Sequence, residues 1–159
     1  MQFFEDIEIG ARHELGSFTF TAEAIKKFAA QFDPQRFHLD EEAGRNSLFG
    51  GLAASGWHVA SVCMKVLVAT GQRRLAEARA RGEEVAIWGP SPGFRELRWI
   101  KPVLAGDTIH FSNQVETKRT SDKRPEWGIL QARNTGINQR GEVVFSFLAT
   151  AFVPRRNAS

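Results

Sequence analysis

Cysteine is nearly absent from this chain: Cys63 is the only one in 159 residues. An intramolecular disulfide and a thiolate metal site are therefore both excluded. Cys63 falls inside an apolar helical pattern and reads as a small buried hydrophobe. Long hydrophobic runs are also missing, so no segment is expected to span a bilayer. The opening residues, Met1-Gln2-Phe3-Phe4-Glu5-Asp6, lack the basic and apolar regions of a signal peptide. A cytoplasmic, reducing compartment is the resulting expectation. Charge of one sign is scarce too. The net charge is +3, and the basic residues fall in three separate clusters at 73–81, 95–101 and 118–124, each mixed with acids. That is not the continuous stripe that nucleic acid requires. A small anionic ligand carrying phosphates is the better match, because a few Arg and Lys neutralise it. No internal repeat or low-complexity segment is found. With 42% hydrophobic residues, the chain reads as one domain, 1–159, with a sizeable core.

Helices come early and strands late. Phe18 and Phe20 alternate with Ser17, Thr19 and Thr21, a strand period. Thr21 is a candidate N-cap for a helix whose apolar residues, Ile25, Phe28, Ala29 and Phe32, recur at i, i+3, i+4 and i+7. Pro34 ends that helix. Asp40 can cap a second, short helix. Residues 51–69 read as a long, mostly buried helix closed at Thr70-Gly71, with a separate polar surface helix over 72–81. After a rigid Gly-Pro-Ser-Pro-Gly loop at 89–93 the pattern changes to strands around Leu97–Trp99, over 108–116, 129–137 and 143–153, with turns at 105–107 and 138–141. The last strand is apolar on both faces and is expected to be covered on both. The tail, 155–159, is expected to fray. The fold class is α+β, a curved antiparallel sheet wrapped on one long helix.

The segment Phe32-Asp33-Pro34-Gln35-Arg36-Phe37-His38-Leu39-Asp40 carries the chemistry. It puts a carboxylate and an imidazole five residues apart in a turn just after a helix, where both can reach one water. Downstream, Phe49-Gly50-Gly51-Leu52 places a glycine pair ahead of the long helix. A helix start offers unpaired N–H groups and partial positive charge to a developing oxyanion, and glycine lets a substrate approach the backbone. Addition of water to a thioester-activated double bond needs this set, and needs no metal or redox cofactor. Singly, Asp33 would be a helix-terminal turn residue and His38 a partly buried loop histidine. As a pair at this spacing they read as catalytic. Ser55, one turn into the expected helix, is either a hydrogen-bonding partner of the site or a satisfied core serine. His58 reads as a core or interface histidine, and His13 and His110 as surface residues on strands.

Four stretches make the chain resemble the MaoC-like dehydratases, the hotdog-fold group that includes (R)-specific enoyl-CoA hydratases. They are Phe32-Asp33 through His38-Leu39-Asp40, Phe49-Gly50-Gly51-Leu52-Ala53-Ala54-Ser55, residues 97–103, and Gly106-Asp107-Thr108. The resemblance implies a single hotdog domain, paired as a homodimer or a dimer-based homo-oligomer. It implies a coenzyme A thioester as substrate rather than a bound cofactor, Asp33 and His38 as the water-activating pair, and an oxyanion donor at Gly50 or Gly51. The family motif commonly reads Asp-x-Asn-Pro-x-His. Here Pro34 follows the Asp directly, Gln35 and Arg36 fill the Asn and Pro places, and Phe49 stands where a His is common. Arg36, Arg95, Arg98 and Lys101 either meet CoA phosphates or, as each reads when taken singly, belong to a solvated face. Two rivals are a hotdog acyl-CoA thioesterase and a non-catalytic acyl-CoA-binding subunit. Hydrolysis commonly needs a carboxylate on or beside the central helix, and no Asp or Glu lies between Gly50 and Thr70. A pure binder needs neither Asp33 nor His38.

Overall fold

The computed structural model describes residues 2–156. In chain order the elements are a 3-10 turn at Phe4–Asp6, β1 (Arg12–Thr19), α1 (Ala22–Phe32), α2 (Arg36–Leu39), α3 (Glu41–Arg45), α4 (Gly56–Ala80), β2 (Gly93–Trp99), β3 (Thr108–Thr120), β4 (Trp127–Asn138) and β5 (Val143–Pro154). All five strands pair antiparallel in one sheet of order β1-β3-β4-β5-β2. This is the α+β architecture expected from the sequence.

Local signals set α1. The Thr21 hydroxyl accepts from the Ala24 N–H at 3.1 Å, Ile25 and Ala29 are buried, and the helix stops at Phe32 because Pro34 has no N–H and forces the preceding residue out of the helical region. Asp40 caps α3 by accepting from the Ala43 N–H at 2.7 Å. Gly44, within α3, lies against the backbone of Gly51 and Leu52: a Cβ there would sit 2.7 Å from the Gly51 carbonyl oxygen. Backbone cannot yield as a side-chain tip can, so this crossing requires glycine.

The long helix differs from expectation at both ends. It begins at Gly56, not Gly51, because Leu52–Ala54 run extended. The Ala54 N–H donates to the Val103 carbonyl at 2.8 Å, the Ala105 N–H to Leu52 at 2.9 Å, and the Ala53 N–H to Phe37 at 3.3 Å. A Leu-Ala-Ala run does not by itself distinguish this from a helix; the partner backbone decides. Nor does the helix stop at Thr70-Gly71. The Thr70 hydroxyl donates to the Leu15 carbonyl at 2.9 Å, and the residues expected to form a separate surface helix continue α4 to Ala80. Termination comes at Gly82, which adopts φ 71°, the left-handed conformation that glycine tolerates best.

The core lies between α4 and the sheet. Val59, Val62 and Cys63 from the helix meet Ile109 and Phe111 of β3 and Val144, Phe145 and Phe147 of β5. Phe20, Ile25, Ile109, Phe111 and Phe145 are fully buried, each worth about 2 to 3 kcal/mol relative to exposure. Burial pushes the Cys63 thiol up to about 12, so it stays protonated. A second cluster of Ile7, Val115, Leu130 and Val153, joined by Phe4 and Trp88, seals the far end of the sheet. At the C-terminus, Arg155 pairs with Glu5 at 3.4 Å and Arg156 with Asp6 at 2.7 Å. The rest of the tail expected to fray, 157–159, lies outside the described residues. Among the described residues no helix is long and apolar enough to cross a membrane.

His58, in the first turn of α4, is the core histidine the sequence suggested. It is 6% exposed, stacked on Phe28 at 4.6 Å and edge-on to Phe20 at 5.0 Å, with its Nδ1 unpartnered. Burial lowers its pKa from 6.5 to about 4. The unfolded chain therefore binds this proton between those two values while the folded protein does not, and stability must fall as pH drops through that window. We predict a loss of roughly 3 kcal/mol from this group between neutral pH and pH 4. His58→Phe should flatten that part of the stability profile, measured by denaturant unfolding at a series of pH values. Identical profiles for the two proteins would refute the assignment.

Candidate active site

The α1–α2 turn delivers Asp33 and His38 to the start of α4. Asp33 is the residue after α1, with its N–H still bonded to the Ala29 carbonyl at 2.9 Å. His38 sits on the single turn of α2 rather than in an open loop, and is 4% exposed. Gln35 links the two through the backbone: its N–H donates to the Asp33 carbonyl at 2.7 Å, and its carbonyl accepts from the His38 N–H at 2.9 Å. The imidazole is held on one side by the Ala53 carbonyl, 2.7 Å from Nδ1. A carbonyl can only accept, so Nδ1 carries a hydrogen, and Nε2 presents its lone pair when the ring is neutral. That nitrogen faces Asp33 Oδ2 at 3.5 Å. Phe37 meets the ring edge-on at 4.6 Å, and Phe49 lies over it at 6.1 Å.

Ser55 joins this pair to the helix. It is the N-cap of α4, not a residue one turn inside it. Its hydroxyl donates to Asp33 Oδ2 at 2.6 Å and accepts from the Trp57 N–H at 3.2 Å. The Gln35 amide donates to the other carboxylate oxygen, Oδ1, at 2.8 Å. Burial alone would raise the pKa of Asp33. The Ser55 hydroxyl, the Gln35 amide and the positive charge that His38 carries when protonated outweigh it and hold the carboxyl below its ordinary 3.8. Asp33 is thus an acceptor-only carboxylate at neutral pH.

These groups line a cavity of about 400 Å³. One wall is Asp33, Gln35, Phe37, His38 and Phe49; the other comes from the start of α4, the segment 99–103 and Val144 of β5. Gly56, the first residue of α4, is in that lining; Gly50 and Gly51 are not. The helix start that could hold an oxyanion is therefore displaced from the sequence expectation. Gly50 and Gly51 belong to the turn before the extended Leu52–Ala54 segment, with Gly50 at φ 71°, and the free N–H of the first helical turn is that of Gly56. Ser-Gly at 55–56 was a legible N-cap signal, masked by the earlier glycine pair. Gln35, Trp57 and Trp99 are further lining residues, and Gln35 carries no recognisable signal in the sequence. Trp88 belongs to the second cluster and donates to the Gln2 carbonyl at 3.0 Å. Of the basic candidates, Lys101 lines the cavity and is ion-paired with Glu142 at 2.5 Å. Arg36 faces a neighbouring groove shared with Asp40 and Glu42. Arg95 donates to Gln131 at 3.1 Å, and Arg98 is exposed on β2.

Ser55→Ala removes the helix cap and one donor to Asp33. The loss of the cap should cost about 1 kcal/mol of stability at neutral pH. The Asp33 titration, followed by the NMR shift of its carboxyl carbon, should move up toward 3.8. Because a depressed carboxylate pKa stabilises the fold above its unfolded value and that stability is lost as pH falls, the variant should also show a shallower loss in acid. An unmoved titration would show that Ser55 does not tune Asp33.

Residues 7–130 match the family model described as MaoC like domain. The structure superimposes on that of a MaoC-like dehydratase from Rhodospirillum rubrum with a TM-score of 0.79, at 39% identity over 99% of both chains. The uncharacterized protein YdeM of Bacillus subtilis is 28% identical over 95% of this chain and 98% of its own length. A Mycobacterium tuberculosis protein with a double hotdog fold matches at a TM-score of 0.68 and 20% identity, over 97% of this chain and 44% of that one, a likeness of fold alone. A five-stranded antiparallel sheet with one long helix, matched over most of its length by the family model, places this hotdog chain in the MaoC-like family of hydratases and dehydratases.

Proposed function

We propose that this protein is a hydro-lyase that adds or removes water across the 2,3 double bond of an enoyl-CoA thioester, with Asp33 and His38 as its acid–base pair. The observation that carries the reading is the approach of Asp33 Oδ2 and His38 Nε2 to 3.5 Å beside the start of α4. With the imidazole neutral, both groups are acceptors and a water beside them can donate to each. A water giving one hydrogen to each would satisfy both and turn its own lone pair toward the cavity. In the hydration direction its oxygen bonds to C3, one of its protons passes to the pair, and the pair returns a proton to C2. Dehydration is the reverse. The charge that develops on the thioester oxygen falls to the Gly56 N–H and the helix dipole; such a donor is typically worth about 3 kcal/mol of barrier. No step requires a metal or a redox cofactor.

Hydrolysis of the thioester is the second reading, and one observation favours it. Although α4 carries no carboxylate near its start, Asp33 is brought there by its bond to Ser55. We further propose that the chain pairs as a homodimer. The open edge strand β2 and the segment after it expose Phe94, Trp99 and Ile100, and α4 exposes Trp57, Met64 and Val68. Apolar surface of this extent on an unpaired strand is characteristic of an interface.

The test follows the absorbance of trans-2-enoyl-CoA thioesters and, in the same samples, the release of free thiol. Loss of the conjugated absorbance without thiol release is expected. Asp33→Asn and His38→Ala should each lower kcat by on the order of a hundredfold or more with the fold retained by circular dichroism. Any loss of rate from protonation of Asp33 should have its midpoint below pH 3.8, its ordinary value. Full activity in both variants would sink the assignment, and thiol release would replace it with hydrolysis.

A further inference from the structure

We propose that Trp99 determines which acyl groups the cavity accepts and restricts it to short-chain enoyl thioesters, an inference that rests on the hydratase reading above. The indole packs directly on the bare Cα of Gly56: a Cβ at that position would run into three ring atoms of Trp99. It is therefore the wall beside the helix N–H that would hold the thioester oxygen. Trp57 steadies it edge-to-face at 5.3 Å and 77°. The strand that carries it is kinked by a bulge between Arg95 and Arg98. Glu96 in that bulge has φ 56° and is held by Arg133 at 2.7 Å. Bulges of this kind re-aim the side chains that follow.

The rest of this wall is fixed. Val59, Val103 and Val144 are each 4% exposed or less and pack into the core, so the cavity cannot grow toward them without leaving a void. Trp99 is 47% exposed. It is a wall one side chain thick, with the cavity on one face and, on the other, the β2 edge proposed above as the subunit interface. Removing the indole opens the cavity outward, and a longer chain gains room at no cost to the core. A few methylenes too many in a closed apolar site change discrimination by about ten- to two-hundredfold each.

The experiment compares kcat/KM for crotonyl-, hexenoyl-, octenoyl- and dodecenoyl-CoA in the wild type, Trp99→Ala and the milder Trp99→Leu. Fold and assembly of each are checked by circular dichroism and light scattering. Wild type should favour the shortest thioesters. Both variants should shift the octenoyl-to-crotonyl ratio upward by at least about tenfold, Ala more than Leu. If a folded variant turns over nothing, the ratio of dissociation constants for octanoyl- and butyryl-CoA, by calorimetry, decides on the same criterion. A wild type that prefers long chains, or variants whose ratio does not move, overturns the role of Trp99 while leaving the hydratase reading intact. A wild type that hydrates none of the four overturns both.

Discussion

The short hydrogen bond from the Ser55 hydroxyl to Asp33 is the contact on which the site depends. It works only because the backbone just before Ser55 is pinned. Leu52–Ala54 pass between the turn that bears His38 and the link from β2 to β3, bonded to Phe37 on one side and to Val103 and Ala105 on the other. The same segment supplies the Ala53 carbonyl that orients the His38 ring. One extended tripeptide thus sets where the helix begins, which way the imidazole turns and how far the carboxylate reaches. Gly44 makes the crossing possible, since no side chain fits between α3 and the Gly51 backbone.

Electrostatics follow from that placement. A carboxylate held by a hydroxyl, an amide and an imidazole remains ionised despite its burial. A neutral imidazole whose one nitrogen is committed to a carbonyl offers the other as acceptor. A helix start with its first N–H free supplies the opposite polarity within the same cavity. Carboxylate, imidazole and helix N–H are thereby given different hydrogen-bonding characters by their partners rather than by residue type alone. His58 is the counterexample three residues along the same helix. The same imidazole, enclosed by Phe20 and Phe28 with no partner for Nδ1, has only the cost of desolvation and none of the chemistry.

The sheet contributes reach. Its three longest strands, β3, β4 and β5, form the platform under α4, and the shorter edge strand β2 ends at the cavity. A bulge and a left-handed Glu96 are tolerated there because an edge strand has only one neighbour to keep in register. That local freedom is what lets Trp99 leave the regular surface of the sheet and lie on the helix start.

Residue chemistry and spacing alone made much of this legible. Thr21, Pro34 and Asp40 are local signals, and each acts where it was expected. The antiparallel order of the late strands, the α+β class and the pairing of Asp33 with His38 followed from periodicity and from a five-residue spacing. Tertiary structure decided the rest. Whether Leu52-Ala53-Ala54 is helix or extended depends on Val103, some fifty residues away, so the shift of the helix start from Gly51 to Gly56 could not be read locally. The continuation of α4 through Thr70-Gly71 depends on Leu15 accepting the threonine hydroxyl. The move of Trp99 onto Gly56 depends on a bulge that no turn residue announces. Short-range chemistry is written in the sequence because its partners are neighbours along the chain; the helix start at Gly56 and the placement of Trp99 are not, because their partners are neighbours only after folding.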